Sequence, residues 1–186
     1  KTGNLNNNKR HYPIGSCFYN GPLKAQNYEI PIENIIGGND GIGKGWNMLM
    51  ECLSEGRAIS LPSIATLSSY KSAFVVGAYT QARKQFKIPL YKMEGVQSLM
   101  GDVARNTYIN LSAQALTNAI VENGEKPSVI SAIMKERTTH LARDALNNAM
   151  DICAGWAVVQ GPNNVIGMDW NSIPVAITVE GSNVLT

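Results

Sequence analysis

Apolar residues recur every three or four positions over much of the chain, which is the spacing of α-helices with one buried side. A short helix is predicted over residues 46–55. Three longer helices are predicted over residues 58–86, 93–122 and about 128–155. Because short segments connect them, they predict an up-down helical bundle.

The first long helix is apolar around much of its circumference, so it is expected to be central in the bundle. Its inward-facing side chains are predicted to be Ile64, Leu67, Ala73, Phe74 and Ala78. Asn123–Gly124 is predicted to end the second long helix, and Ser128 is predicted to cap the third. Arg137 and Asn148 interrupt the apolar stripe of the third helix and are expected to pair with polar neighbours in the core.

The first 40 residues lack this helical spacing. Residues 1–10 are predicted to form a polar loop, and residues 11–38 are β-like. Phe18–Tyr19 leads into a turn signal at Asn20–Pro22, and a short edge strand is predicted over residues 27–32. A glycine-rich stretch then predicts a hinge before the helices.

The region after the third long helix is predicted to be a mixed loop over residues 156–179, because Pro162 and Pro174 interrupt it. A bundle of three helices leaves one side open. A fourth helix is therefore expected, from a missing C-terminal part of the protein or from another subunit. The predicted fold class is mainly α: an up-down bundle preceded by a short β segment.

Composition narrows the class of protein. Of 186 residues, 44% are apolar and 16% are charged, which is enough apolar content for a core. The net charge is +2 and the basic residues are scattered, so a nucleic-acid-binding surface is not expected. The three cysteines are far apart and show no metal-ligand spacing, which indicates free thiols in a reducing compartment.

No segment resembles a signal peptide. The uncharged stretch over residues 58–70 is too short to span a membrane, so membrane contact is expected to be peripheral at most. The chain begins with Lys1 instead of methionine and stops at Thr186 in mid-pattern. We therefore expect a fragment of a larger protein.

Five short motifs occur in order along the chain. They are Ile30–Gly37 (V-P-x-x-N-x-L-G), Gly41–Met50 (G-x-G-x-x-x-x-M), Leu53–Arg57 (L-x-x-G-R), Arg83–Leu90 (R-x-Q-F-G-x-P-I) and Val179–Asn183 (Y-E-G-T/S). Each is weak alone, but together they resemble the acyl-CoA dehydrogenase family over essentially the whole chain. Pro13–Ser16 with Asn20–Pro22, and Gln160–Asn164, resemble the bacterial long-chain branch of that family.

The sequence departs from the family pattern at three places. Lys87 stands where the family commonly has glycine after R-x-Q-F, and Met93–Glu94 stands where it often has His-Gln. Of the family's Q-x-x-G-G flavin contact, Asp151–Gly155 retains only Gly155. These changes concern the contacts to the flavin.

The resemblance implies α,β-dehydrogenation of a fatty acyl-CoA in fatty-acid β-oxidation, with FAD as cofactor. Glu180 would be the catalytic base; an exposed carboxylate is the alternative. Arg57 would line the acyl-CoA site or belong to a buried ion pair. The other residues that the resemblance assigns to acyl-CoA are Ser54 and Gly181. Those that it assigns to FAD are Arg83, Gln85, Phe86, Gly155, Ser182 and Asn183.

Several of these assignments have a structural alternative. Arg83 would contact the flavin pyrophosphate of a neighbouring subunit, or serve the C-terminal dipole of its helix. Ser182 and Asn183 would bond to the flavin, or be simple turn residues. His140 is expected to be structural, and no residues are expected to bind a metal. The glycines before the helices lack the Gly-Lys-Ser/Thr of a phosphate-binding loop.

The resemblance also implies an electron-transfer flavoprotein-type acceptor, a homodimer or homotetramer, and a location in the bacterial cytoplasm or against the inner membrane. Residues 1–40 would end the family's middle β-domain, and residues 41–186 would form most of its C-terminal helical domain. Two other functions remain open: an acyl-CoA oxidase of the same superfamily, and a non-catalytic helical interaction module. The fragment alone is expected to bind FAD poorly and to be inactive.

Overall fold

A computed structural model describes residues 3–7, 9–14 and 20–185. Strands β1 (Asn4–Asn6) and β2 (Lys24–Gln26) pair antiparallel, with Leu5 opposite Ala25. The prediction of a loop over residues 1–10 is thus wrong at β1. The prediction for Phe18–Tyr19 lies outside the described residues, as does half of Pro13–Ser16.

The edge strand predicted over residues 27–32 is not present. Asn27 has a φ of +48°, which ends the extended backbone after β2. Pro31 then caps a 3-10 turn over Ile32–Asn34, since it has no N–H with which to continue a ladder. A second 3-10 turn, Gly38–Gly41, leads into the helices.

The helical part begins with α1 (Gly45–Glu55), as predicted. One π-helical segment, Gly56–Ser60, connects it without a break to α2 (Leu61–Ala82). Such widened turns inside a helix often occur at functional sites. Pro62 is accommodated in the first turn of α2, where its missing N–H has no helical partner to lose.

Helix α2 is shorter than predicted, because Arg83 leaves the helix in an extended conformation. Two-residue strands β3 (Lys84–Gln85) and β4 (Ile88–Pro89) follow and pair antiparallel. The residues that join them, Phe86 and Lys87, have φ of +51° and +69°. Positive φ at both central positions is typical of the type I′ hairpin turn. This hairpin stops the helix four residues early.

Helices α3 (Glu94–Glu122) and α4 (Ser128–Cys153) confirm the other two long helices. The predicted end of α3 is also confirmed. The N–H of Gly124 donates to the carbonyl of Val121, and that of Glu125 to the carbonyl of Ile120, the two bonds of a Schellman motif. The predicted cap of α4 is wrong by one residue, since Pro127 holds the cap position and Ser128 is already helical.

The loop predicted over residues 156–179 is wrong in most of its length. It contains a short helix α5 (Gly155–Val158) and a helix α6 (Gly167–Thr178), which has Pro174 in its interior. An interior proline costs a helix about 3 kcal/mol. Burial of Ile173, Ala176 and Ile177 in the bundle offsets that cost.

Helices α2, α3 and α4 pack against one another, and α6 packs on α4 as the fourth helix. Within the described residues this fourth helix comes from the segment predicted to be a loop, and not from a missing C-terminal part or another subunit as expected. The fold class, a mainly helical bundle with a short β segment, is confirmed. The apolar centre consists of Leu61, Ala65, Val76, Ala142, Leu146, Ala149, Ile152, Cys153, Ala157, Ile166, Ile173 and Ala176.

The buried face of α2 is not the predicted one. Ile64, Leu67 and Phe74 are exposed by 53%, 65% and 70%, whereas Ser69 and Ser72 are fully buried. The hydroxyls of these serines donate to carbonyl groups one turn earlier in α2, which satisfies them inside the bundle. Small side chains thus line much of the helix contacts, whereas the large side chains of Ile64, Leu67 and Phe74 are mostly exposed.

Helix α4 differs from its prediction in a similar way. Arg137 is exposed, with its Nε 3.9 Å from the carboxylate of Glu136, so its predicted place in the core is wrong. The buried cation of this helix is Lys135, whose exposed fraction is 0%. The inner face of α4 is therefore rotated from the one that the apolar spacing predicts.

Candidate active site

The chain reverses direction directly after α6. Val179 is extended, and Glu180 and Gly181 have φ of +56° and +91°. The N–H of Asn183 then donates back to the carbonyl of Ile177 at 3.2 Å. A left-handed conformation costs a residue with a side chain roughly 1–2 kcal/mol. Other contacts must therefore hold Glu180 in place.

The carboxylate of Glu180 lies against the backbone of Gly56, in the π-helical segment. A Cβ atom at position 56 would lie 2.7 Å from the carboxyl carbon of Glu180, closer than real Cβ atoms approach other atoms. Only glycine therefore fits here without a shift of the carboxylate. The contact joins the start of the helical bundle to the turn after its last helix.

Two cations bind the backbone around Glu180. The Nε of Arg57 donates to the carbonyl oxygen of Glu180 itself. The Nζ of Lys135 donates to the carbonyl oxygens of Ile177 and Gly181, each at 2.6 Å. The turn is thus tied to the π-helical segment on one side and to α4 on the other.

Lys135 is a site residue that the sequence analysis missed. The apolar spacing in α4 pointed to Arg137 as the cation of the inner face. The signal for Lys135 is a different one: small or short polar residues at Ser131, Thr138 and Ala142 share its face, and all three are buried. A lysine among them indicates a buried, bonded ammonium group.

Burial raises the pKa of the Glu180 carboxyl above its usual range, and the charges of Arg57 and Lys135 oppose part of that rise. Burial and the charge of Arg57 lower the pKa of the Lys135 ammonium, and Glu180 opposes that change. Within the described part of the chain, the buried Oε2 of Glu180 has no hydrogen-bond partner. A desolvated carboxylate with a free oxygen is a stronger proton acceptor than one in water.

A pocket of about 360 Å³ lies between α1, the end of α3 and the start of α4. Met50, Ser54 and Ala58 line one wall, and Lys126 and Ser131 line the other. The first wall continues through the segment that contacts Glu180, and Ser131 lies one helical turn before Lys135. Its walls therefore share segments with the groups that surround Glu180.

The structure brings four predicted residues into one region: Glu180 and Gly181 in the turn, Arg57 in the π-helical segment that binds the turn, and Ser54 in the adjoining pocket. It does not bring the Arg83 hairpin there. Arg83 follows the last residue of α2, whereas Gly56 precedes its first turn. The 22 residues of α2 separate the two by about 33 Å.

The hairpin presents its side chains outward. Arg83 and Gln85 are exposed, and Phe86 is exposed by 89%. A guanidinium binds phosphate oxygens in pairs, an amide both donates and accepts, and an open phenyl ring can cover a flat heterocycle. This donor set fits the pyrophosphate and ring system of FAD.

The three remaining predicted residues lie in different settings. Gly155 begins α5 and is exposed, with open space where a Cβ would stand. Ser182 is half-buried in the turn. The amide nitrogen of Asn183 donates to Thr139 Oγ1 at 2.9 Å, so this side chain ties the turn to α4.

The remaining groups add little to the site. His140 bonds to Glu136 at 2.7 Å within α4, and its structural role stays a prediction. Cys52 and Cys153 are free thiols, and burial raises the pKa of Cys153 to about 11. Residues 3–7, 9–14 and 20–185 contain no cluster of histidine, cysteine or acidic side chains suited to a metal ion. Within those ranges, no helix is both long and apolar enough to cross a membrane.

The family profile "Acyl-CoA dehydrogenase, C-terminal domain" matches residues 43–183. Cyclohex-1-ene-1-carbonyl-CoA dehydrogenase of Geobacter metallireducens is 26% identical over 137 residues, which are 73% of this chain and 35% of that protein. Protein HemX of Proteus mirabilis is 46% identical over 69 residues, which are 37% of this chain and 41% of that protein.

Solved structures share the fold. A probable acyl-CoA dehydrogenase from Mycobacterium abscessus superposes with a TM-score of 0.82 at 16% identity, over 97% of this chain and 47% of that one. The chain thus spans less than half the length of the relatives it matches. With the profile match over most of its length, the chain belongs to the acyl-CoA dehydrogenase family.

Proposed function

We propose that this chain is part of an FAD-dependent dehydrogenase that converts fatty acyl-CoA thioesters to trans-2-enoyl-CoA in fatty-acid β-oxidation, with Glu180 as the catalytic base. The observation that carries the proposal is the half-buried Glu180, whose Oε2 is buried and whose carboxylate lies against Gly56. A pocket of about 360 Å³ lies along the same part of the chain, at Ser54 and Ala58. The relative from Geobacter metallireducens is named for a reaction of an acyl-CoA thioester, which supports this substrate class.

Glu180 has the properties that the first step requires. The base must break the Cα–H bond next to the thioester carbonyl and take up the proton. A carboxylate whose pKa is raised by burial forms the new O–H bond more readily than one in water. Its partnerless Oε2 is the oxygen that would receive the proton.

The thioester carbonyl gains negative charge as the proton leaves. In this proposal the backbone N–H of Glu180 donates to that oxygen, because such a donor stabilises charge where it develops. The two cations that bind the turn keep this N–H and the carboxylate in a constant relation. Gly181, which has no side chain, leaves room for the substrate to approach.

The second hydrogen leaves from the β-carbon with its electron pair, and the Cα–Cβ double bond forms from the pair that the α-proton left behind. FAD, when bound, supplies the acceptor for that hydride. In this proposal Arg83, Gln85 and Phe86 hold the cofactor of a neighbouring subunit, since they lie about a helix length from Glu180. Gly155, Ser182 and Asn183 are the further candidate contacts to it.

The pocket is proposed to hold part of the acyl-CoA. Ser54 lines it, and Arg57, which directly precedes the lining residue Ala58, donates to the carbonyl of Glu180. Lys126, at the wall opposite Ser54, is a cation suited to a phosphate group. The lining mixes apolar and charged side chains, and Glu51, Glu55 and Glu125 lie there together with Lys126.

The whole protein is proposed to be a homodimer or homotetramer, because the site needs the hairpin of a second copy. We further propose an electron-transfer flavoprotein-type acceptor and a location in the bacterial cytoplasm, at most peripheral to the membrane. Residues 1–40 are proposed to end a middle β-domain, and residues 41–186 to form most of the helical domain.

The test is anaerobic mixing of the full-length protein with a long-chain acyl-CoA while the visible absorption of the flavin is recorded. We expect wild type to bleach, and Glu180→Gln to bleach about 10²- to 10⁴-fold more slowly, since glutamine fills the same space without a base. Glu136→Gln is the matched control, because Glu136 bonds to His140 and to no part of the turn through its carboxylate. A protein without flavin, or a Glu180→Gln variant that bleaches as fast as wild type, would contradict the proposal.

A further inference from the structure

Lys135 is completely buried, yet it carries an ammonium group. Burying an unpaired charge is very unfavourable, so its hydrogen bonds must account for its presence. Both of its recorded bonds go to backbone carbonyls, of Ile177 and of Gly181. These carbonyls lie on either side of Glu180 in sequence.

The two acceptors belong to different kinds of backbone. Ile177 is in the last turn of α6, where carbonyl groups have no helical partner and favour a nearby cation. Gly181 lies beyond the end of the helix, at a φ of +91°. One ammonium group thus joins the end of a helix to the turn that follows, and it does so across Glu180.

If Lys135 only stabilised the C-terminal end of α6, its bond to the carbonyl of Ile177 would be sufficient. The second bond sets the backbone after Glu180, and Arg57 binds the carbonyl of Glu180 itself. Together they hold the left-handed conformation that brings the carboxylate against Gly56. Without Lys135, the free-energy cost of that conformation would favour release of the turn.

We propose that Lys135 is a positioning residue for the reaction, which holds Glu180 in its left-handed conformation by binding the carbonyls of Ile177 and Gly181. This inference rests on the proposed function only for its catalytic consequence. The effect of Lys135 on the conformation of the turn does not depend on the proposed function. The charged groups that face Glu180 are Arg57, from the π-helical segment, and Lys135, from α4.

The test compares Lys135→Met with Leu146→Ala in the full-length protein with bound cofactor. Methionine fills the space of the lysine stem but donates no hydrogen bond. Leu146 is equally buried in the same helix, so its truncation destabilises α4 without touching the turn. The melting temperature of each variant is measured first, so that both can be compared at temperatures at which they are equally folded.

The first measurement is hydrogen exchange of the peptide that covers residues 177–183, which needs no activity. We expect faster exchange in Lys135→Met than in Leu146→Ala at matched stability, because the N–H of Asn183 depends on the same carbonyl of Ile177. Equal exchange in the two variants would overturn the inference, whether or not the protein is a dehydrogenase.

The second measurement is steady-state kinetics across pH. We expect Lys135→Met to lower kcat about 10- to 100-fold with little change in KM, since a misplaced base slows the chemical step more than it weakens binding. The acid limb of its kcat profile should move to higher pH, because the charge of Lys135 holds down the pKa of Glu180. Leu146→Ala should change neither quantity for the folded enzyme.

Wild-type kcat and an unmoved acid limb in Lys135→Met would also overturn the inference. Where that variant does not fold, Lys135→Gln is measured instead. Its amide is one bond shorter than the lysine side chain and cannot reach both carbonyls, so the same changes in exchange and kcat are expected. Absence of turnover in wild type contradicts the proposed function, and the exchange measurement then decides the role of Lys135.

Discussion

The two halves of α4 are equally buried but differ in chemistry. In the C-terminal half, Ala142, Leu146 and Ile152 pack in the apolar centre of the bundle. In the N-terminal half, Lys135 and Thr139 are just as buried, and both bind backbone or side-chain groups. The polar half contacts the turn that carries Glu180, whereas the buried side chains of the apolar half pack in the core of the bundle.

This difference shows that burial alone does not distinguish a core from a site. An apolar half stabilises the bundle in proportion to the area it removes from water. A polar half gains little net free energy from its hydrogen bonds, but each bond specifies one position of its partner. The N-terminal half of α4 therefore fixes the position of the turn around Glu180. The C-terminal half stabilises the packing of the helices.

The largest expected effect is on stability in the apolar half. Leu146→Ala should lower the free energy of unfolding by about 2–5 kcal/mol, because it leaves a cavity at a site with 0% exposure. Denaturant unfolding of the full-length protein measures this loss. Leu116→Ala on α3, where the side chain is 66% exposed, should change it far less. Equal losses would mean that the apolar half of α4 is not the centre of the bundle.

The next effect is on kcat, through the position of the Glu180 carboxylate at the site, and not on stability. In Gly56→Ala the new Cβ would lie 2.7 Å from the carboxyl carbon of Glu180 and displace it. We expect kcat to fall about 100-fold, while the helix itself tolerates alanine. Gly77→Ala in α2 is the control, since its Cβ would meet open space and kcat should be unchanged. Normal kcat in Gly56→Ala would exclude this contact.

A smaller effect is expected where α3 meets the polar half of α4. The amide of Asn110 donates to Ser69 Oγ at 2.9 Å and to the carbonyl of Thr138 at 3.1 Å. Asn110→Ala should cost about 1–3 kcal/mol of unfolding free energy, because it leaves both acceptors buried without that donor. Asn118→Ala, at an exposed position of α3, should stay within about 0.5 kcal/mol of wild type. If Asn110→Ala lowered the free energy of unfolding as much as Leu146→Ala does, the proposed difference between the two halves of α4 would be wrong.

The smallest effect is a pH dependence of stability. Because the folded pKa of Glu180 is raised, the folded state holds a proton at pH values where the unfolded state has released it. Stability relative to Glu180→Gln should therefore fall as pH rises from the ordinary glutamate range through the raised pKa. The slope cannot exceed about 1.4 kcal/mol per pH unit for one proton. A pH-independent difference between wild type and Glu180→Gln would show that Glu180 titrates normally.

Much of the fold followed from local sequence. The spacing of apolar residues identified α1, α3 and α4 with ends close to those observed, and Gly124 marked the end of α3 through its left-handed φ of +86°. These features depend on neighbours within a few residues. Helix α6 escaped prediction because Pro174 is unfavourable locally, and only packing against α4 offsets it.

The candidate site was predictable in part. The motif around Glu180 and the glycine at position 56 were both visible in the sequence, although their roles come from the resemblance and stay predictions. Their mutual contact was not visible, since 123 residues separate the two positions. Lys135 was missed for the same reason, since the two carbonyls that it binds lie 42 and 46 positions further along the chain.

The sequence by itself determined that the chain forms long helices, where most of them end and which residues resemble a dehydrogenase. The tertiary structure decided which face of each helix is buried. Ile64, Leu67 and Phe74 have the spacing of a core stripe but are exposed, because small and hydroxylated side chains let α2 approach its neighbours more closely. It also decided that a glutamate, a glycine and a buried lysine meet, since burial and distance-dependent charge effects exist only once remote segments have packed together.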